Sequence, residues 1–153
     1  GYMRQAREYA AGFMAGSAPG WLGHNPLGKL MVGALIIVML AMGGTGLILA
    51  GTDIYYPPLG STMKAWVAED QTRLSEVKPY SKININDASY NEMRSFRKPF
   101  VQKHGTLFYG LILLVFVHIA AAIITDIREK NGIISAMFTG WKVFDKEPVD
   151  REK

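Results

Sequence analysis

The residues best suited to chemistry in this chain are its three histidines, His24, His104 and His118. His104 and His118 are 14 residues apart on one stretch, and Gly105–Thr125 within it runs 21 residues without Asp, Glu, Lys or Arg. On a helix that spacing returns to within roughly 40° of the same face and separates the two rings by about 21 Å along the axis. Histidine inside an apolar membrane helix is costly, so by default it marks function. Neutral imidazole is a standard axial ligand of haem iron. Two imidazoles on one face, one toward each side of a bilayer, is the layout that holds two stacked haems. The separation is far too long for both to chelate one ion. Phe108, Leu111 and Val115 form an apolar strip between them, and Ala120, Ala121 and Ala122 keep the helix slim beside His118. Blander readings stand next to this one. His104 adjoins Lys103 at an interface, where a histidine needs no special partner, and His118 can hydrogen-bond a neighbouring helix. His24 precedes the other apolar block, either as an interfacial polar residue or as a contact to a quinone or a haem propionate.

These histidines need long helices to position them. The blocks Leu30–Ala50 and Gly105–Thr125 are each 21 residues without a charge. At about 1.5 Å per residue, each covers the roughly 30 Å hydrocarbon core of a bilayer. The composition therefore predicts an all-α integral membrane protein with two transmembrane helices, at about 29–50 and 99–127, and an extramembrane stretch at about 51–98. The 153 residues are one domain's worth of chain. With no cysteine, disulfides, thiolate-bound zinc, iron–sulfur clusters and thioether-linked haem are excluded. The net charge of +4 reflects basic residues near helix ends, and no nucleic-acid motif accompanies it.

Local signals refine the outline. Gly1–Gly23 reads as a polar, Gly-rich interfacial loop, with Tyr2, Tyr9, Phe13 and Trp21 at headgroup level. The chain starts with Gly and shows no signal-peptide pattern, so it is expected to be the later part of a longer protein. Asn25 and Pro26 suit the cap and first position of the first span. Gly43, Gly44 and Gly46 allow close approach by a helix or by a flat ligand. Tyr55-Tyr56-Pro57-Pro58 should end that helix. Ser61–Val77 predicts a short amphipathic helix, and Asn86 or Asp87 caps another carrying Tyr90, Met93 and Phe96. Together these form a folded loop that covers the site. Pro99 fits the first turn of the second span, and Asn131-Gly132 its end. Ile133–Trp141 predicts one more interfacial helix, followed by a charged, mobile tail to Lys153.

The run Gly23-His24-Asn25-Pro26-Leu27-Gly28, a span ending in Thr45-Gly46, the helix with His104 and His118, His118-Ile119-Ala120-Ala121, and Ile133-Ile134-Ser135-Ala136-Met137-Phe138-Thr139-Gly140 together resemble the bacterial cytochrome b-561 family. That family includes the b-type cytochrome subunits of membrane-bound nickel–iron hydrogenases. The resemblance covers nearly the whole chain except the long loop. It implies a four-helix bundle holding two haems b, each between two histidines, with the last helix giving one ligand to each. On that reading the chain is the C-terminal half of the bundle, and His104 and His118 are the last-helix ligands. The remaining helices and ligands would come from residues outside this sequence or from another chain.

The implied function is electron transfer between the quinone pool and a redox partner protein or subunit, in the cytoplasmic membrane of a bacterium. Arg97 and Lys98, with Arg94 and Lys103 nearby, would pair with propionates of the nearer haem, or serve as basic anchors at the headgroups. The two ends carry nine Lys and Arg and the central loop eight, so charge barely chooses an orientation. The resemblance places both ends in the cytoplasm and Gly51–Lys103 outside, facing a partner. The rival functions are a non-haem two-span anchor and the membrane arm of a hydrogenase- or formate dehydrogenase-type complex.

Overall fold

The computed structural model describes residues 1–56, 58–130, 132–144 and 147–151. Pro57 of the expected helix break, Asn131 of the stop signal, and Lys146 and Lys153 of the tail lie outside them. The described residues form helices α1 (Tyr2–Met14), α2 (Pro26–Gly51), α3 (Gly60–Val67), α4 (Asp87–Glu129) and α5 (Ile133–Thr139), plus a 3₁₀ segment at Gln71–Glu76. Two of these, α2 and α4, are long and apolar enough to cross a membrane. No residue of their most apolar stretches is buried within the chain, as befits side chains that face lipid or other helices. The chain divides into two compact units, Gly1–Ile37 with Leu111–Lys153, and Val38–Gly110.

In the first unit α1 occupies much of the segment expected to be a loop. Tyr2–Met14 is rich in Ala, Met, Gln, Arg and Glu, all good helix formers, and its single internal glycine does not outweigh them. The helix buries Ala6 and Tyr9. The Tyr9 hydroxyl donates to Glu129 at the end of α4 and accepts from Asn25 at 2.8 Å. Burial, reinforced by the Glu129 carboxylate, pushes the Tyr9 phenol well above its ordinary value. Arg128 caps the other end of α1 by donating to the Phe13 carbonyl at 3.0 Å, with its guanidinium 5.0 Å from the Phe13 ring centre. Asn25 caps α2 as its sequence predicts, its Oδ1 accepting from Gly28 N–H at 2.7 Å. Gly132 turns the chain from α4 into α5 at φ +67°, a conformation that favours glycine.

The tail of this unit is docked, at odds with its expected mobility. Lys142 Nζ donates to the carbonyls of Trp21, Leu22 and Gly23 at 3.3, 2.8 and 3.3 Å. Asp150 accepts from the amides of Leu22 and Gly23. Val149 N–H donates to the Gly20 carbonyl, and a Cβ on Gly20 would stand 3.1 Å from the Phe144 ring. Desolvation pushes the Asp150 carboxyl upward. The Gly23 and Leu22 amides, with the Lys29 charge, outweigh it and hold the group below its ordinary value.

In the second unit the segment between the spans has a core of its own. Ile54, Val67, Ala68, Val77 and Met93 are buried together, with Tyr55, Met63, Leu74, Ile85 and Tyr90 packed around them. The helix expected over 61–77 is interrupted because Ala68 bridges Ile85 and Asn86 N–H donates to the Val67 carbonyl. Asp70 then caps the 3₁₀ segment through Thr72. Asn84, at φ +56°, locks the crossing by accepting from Asp70 N–H and donating to the Asp70 and Arg73 carbonyls. Val67 is fully buried at 0 % exposure. Val67→Ala removes two methyl groups there and should cost about 2 kcal/mol, from lost transfer energy plus a cavity term. Faster proteolysis of the 52–86 segment, with the spans intact, is the expected readout.

Asn86 accepts from Ser89 N–H at 3.0 Å and so caps α4, which begins twelve residues before Pro99. The expected surface helix and second span are thus one helix of 43 residues, with Pro99 inside it. Proline removes only its own N–H from the ladder, leaving the Ser95 carbonyl without its usual donor. The flanking turns have strong helix formers and continue through it, a tolerance common in membrane helices.

Candidate functional site

His104 lies in the second unit, half-buried on α4 against the end of α2. Its Nδ1 is 2.9 Å from the Thr45 hydroxyl. That hydroxyl also stands 2.9 Å from the Ala41 carbonyl and 3.0 Å from the Met42 carbonyl, one helical turn back. A Cβ on Gly46 would be 3.4 Å from His104 Cε1, so the ring lies almost on the backbone of α2. Cβ atoms on Gly43 and Gly44 would meet nothing within 4 Å. The glycines expected to admit a neighbour therefore divide: Gly46 receives the imidazole, and the other two leave open space.

Arg97 has a role that its sequence position does not announce. Its Nη1 donates to the Leu49 carbonyl and to the Thr52 hydroxyl, both at 2.9 Å. Leu49 is in the last turn of α2, whose carbonyls lack intrahelical donors. The guanidinium thus closes that helix end, and a cation there also suits the helix dipole. Lys98 is exposed. The signal for Arg97 was its location just before the second apolar stretch. Its partners lie 48 and 45 residues away, beyond any local pattern.

His118 lies in the first unit on the wall of a cavity of about 830 Å³. The other walls include His24, Asn25, Gly28, Leu30, Met31 and Ala34 from α2 and its cap, Ala121 and Ala122 from α4, and Met137 from α5. Pockets for small ligands and cofactors span about 300–1,000 Å³ and are mostly apolar with a few placed polar groups. His24 is exposed, and its ring rests 3.6 Å from where a Gly28 Cβ would stand. His24 and His118 thus share one cavity, with Lys142 at its edge. Among the described residues no cluster of three or more His, Cys, Asp or Glu is arranged to chelate an ion.

Haem b fits these residues on two observations. Thr45 engages only Nδ1 of the His104 ring, at 2.9 Å, and Nε2 is the nitrogen that would meet a metal. His118 faces an apolar cavity large enough for a macrocycle. Each offers a single imidazole, the donor type that an axial position requires.

Described residues whose long elements are all helices, two of them long and apolar enough to cross a membrane and one of those carrying half-buried imidazoles, define a helical membrane protein. The prokaryotic cytochrome b561 family matches residues 2–140, and the chain belongs to that family. It is accordingly a membrane protein of the b-type cytochromes, whose work is electron transfer through haem b. This sets aside the non-haem anchor as its function. No curated protein and no solved structure matches the chain.

Proposed function

We propose that this chain carries electrons between the quinone pool and a redox partner protein or subunit, through two haems b, as a multi-pass protein of a bacterial cytoplasmic membrane. The observation that carries this reading is the placement of the α4 histidines: His104 against Thr45 and Gly46, and His118 on the wall of the apolar cavity. Bound haem supplies a one-electron ferric–ferrous couple. In this reading His104 and His118 would each hold one haem through an imidazole nitrogen. The remaining ligands would come from helices outside these 153 residues, which would complete a four-helix bundle, or from another chain. The mostly apolar walls around His118 suit the packing of a macrocycle against its ring. His24 contacts a quinone or a propionate at the same cavity. Lys98 and the remaining nitrogens of Arg97 face the propionates on the His104 side, while Arg97 Nη1 holds the end of α2.

The folded segment between the spans lies on the outer face and meets the partner, which places both ends of the chain in the cytoplasm. A hydrogenase or formate dehydrogenase supplies such a partner, and the membrane chemistry is the same in either complex. The test is quinol-driven reduction of the purified holoprotein. Short-chain quinol should develop the same b-type absorption bands as dithionite, in two resolvable redox steps. Full reduction by dithionite with no response to quinol would remove the quinone from the proposal, and a single redox step would remove the second haem.

A further inference from the structure

The Thr45 hydroxyl has one proton and three oxygen or nitrogen neighbours within 3.0 Å: the Ala41 carbonyl, the Met42 carbonyl and His104 Nδ1. If the proton goes to Nδ1, the other ring nitrogen must carry a hydrogen and cannot bind a metal. If it goes to either helix carbonyl, the oxygen is left to accept from Nδ1–H, and Nε2 keeps its lone pair. Threonine in a helix commonly bonds back to the carbonyl a turn earlier, and here both such acceptors are in range. With Thr45 at 2.9 Å, Nδ1 is also blocked as a metal ligand. Gly46 adds a steric restraint, because its missing side chain lets the ring settle 3.4 Å from a would-be Cβ.

We propose that Thr45 is a positioning residue for His104: its hydroxyl accepts from Nδ1–H, fixes the tautomer and ring orientation, and presents Nε2 to the iron. This rests on the reading of His104 as an axial ligand. Groups that accept from the distal nitrogen of a ligating histidine raise its basicity, and their loss typically weakens metal affinity about 10–100-fold. A more basic imidazole favours the ferric state, so removing the acceptor should raise the midpoint potential of that haem alone.

The experiment uses the complete membrane protein with its native helices and compares Thr45→Val, Thr45→Ser and His104→Ala. Thr45→Val keeps the shape of the side chain and removes the acceptor. It should shift one of the two redox steps upward and make one haem about tenfold easier to extract, with the other step unmoved. Thr45→Ser restores the hydroxyl and should return both values to those of the unaltered protein. A Thr45→Val protein with both redox steps and both extraction rates unchanged would overturn the proposal, as would a Thr45→Ser protein indistinguishable from Thr45→Val. The His104→Ala protein separates this from the underlying assignment. If it keeps both haems, His104 is no ligand and the ligand reading fails. If it loses one haem while Thr45→Val changes nothing, only the positioning role fails. Should Thr45→Val not accumulate in membranes, Thr45→Ala, with less bulk at the same site, carries the same expectations.

Discussion

Replacing His118 with Ala is expected to remove one haem per protein and leave the polypeptide in the membrane. The imidazole lines a cavity of about 830 Å³ whose other walls are mostly apolar side chains. A macrocycle held there by His118 would lose its iron–nitrogen bond when the ring is deleted, and apolar contact alone would not replace it. The helix itself should survive. Alanine is the best helix former, and the site is followed by Ala120, Ala121 and Ala122 on a span that has no charge from Gly105 to Thr125. Haem quantitation against protein, with immunoblotting of the membrane fraction, separates loss of ligand from loss of fold. An unchanged haem content would remove His118 from the ligand set.

Expressed by itself, the 153-residue chain should not form two bis-histidine haem sites. Two such sites need four imidazoles, and the sequence holds three histidines. They are also unevenly placed. His24 shares the cavity of His118, whereas His104 sits against Thr45 and Gly46 in the other compact unit. Three imidazoles cannot complete two pairs, and we propose that a low-spin bis-histidine haem at His104 would draw its second imidazole from elsewhere. The same is proposed for His118, with His24 serving a propionate or quinone. Haem quantitation and low-temperature spin-state spectroscopy of the isolated chain measure this directly. Two fully low-spin haems per monomer would show that the architecture or the ligands are wrong.

What the sequence disclosed was what depends on local pattern. The two uncharged stretches gave the spans, because no soluble packing is needed to explain an apolar run of bilayer length. Asn25 and Asn86 were readable as caps, since a cap is settled within three residues. Ile133 and its neighbours gave α5. The rest depended on partners far along the chain. The bridge from Ala68 to Ile85 breaks the helix expected over 61–77. Arg97 reaches back to Leu49, and Lys142 to Trp21. Pro99 misled for a different reason, since proline suits a first turn well but does not demand one, and Asn86 had already started the helix. At the site, the histidines stood out by their cost in an apolar setting. Thr45 was legible only as part of a family-like motif, because the ring it meets lies 59 residues further along the chain.

The double hold on Trp21–Gly23 bears on how this protein should be handled. Lys142 gathers the carbonyls of that segment and Asp150 its amides, and the next residue is His24, on the cavity wall. Lys142 therefore lines that cavity and Asp150 holds the segment leading to it, although both look dispensable on the page. Trimming the gene after α5, or fusing a bulky tag close behind Asp150, would alter access to the His118 cavity without touching either span. Affinity handles are better carried on a long spacer, and a shortened version should not be taken as equivalent to the parent in quinol assays.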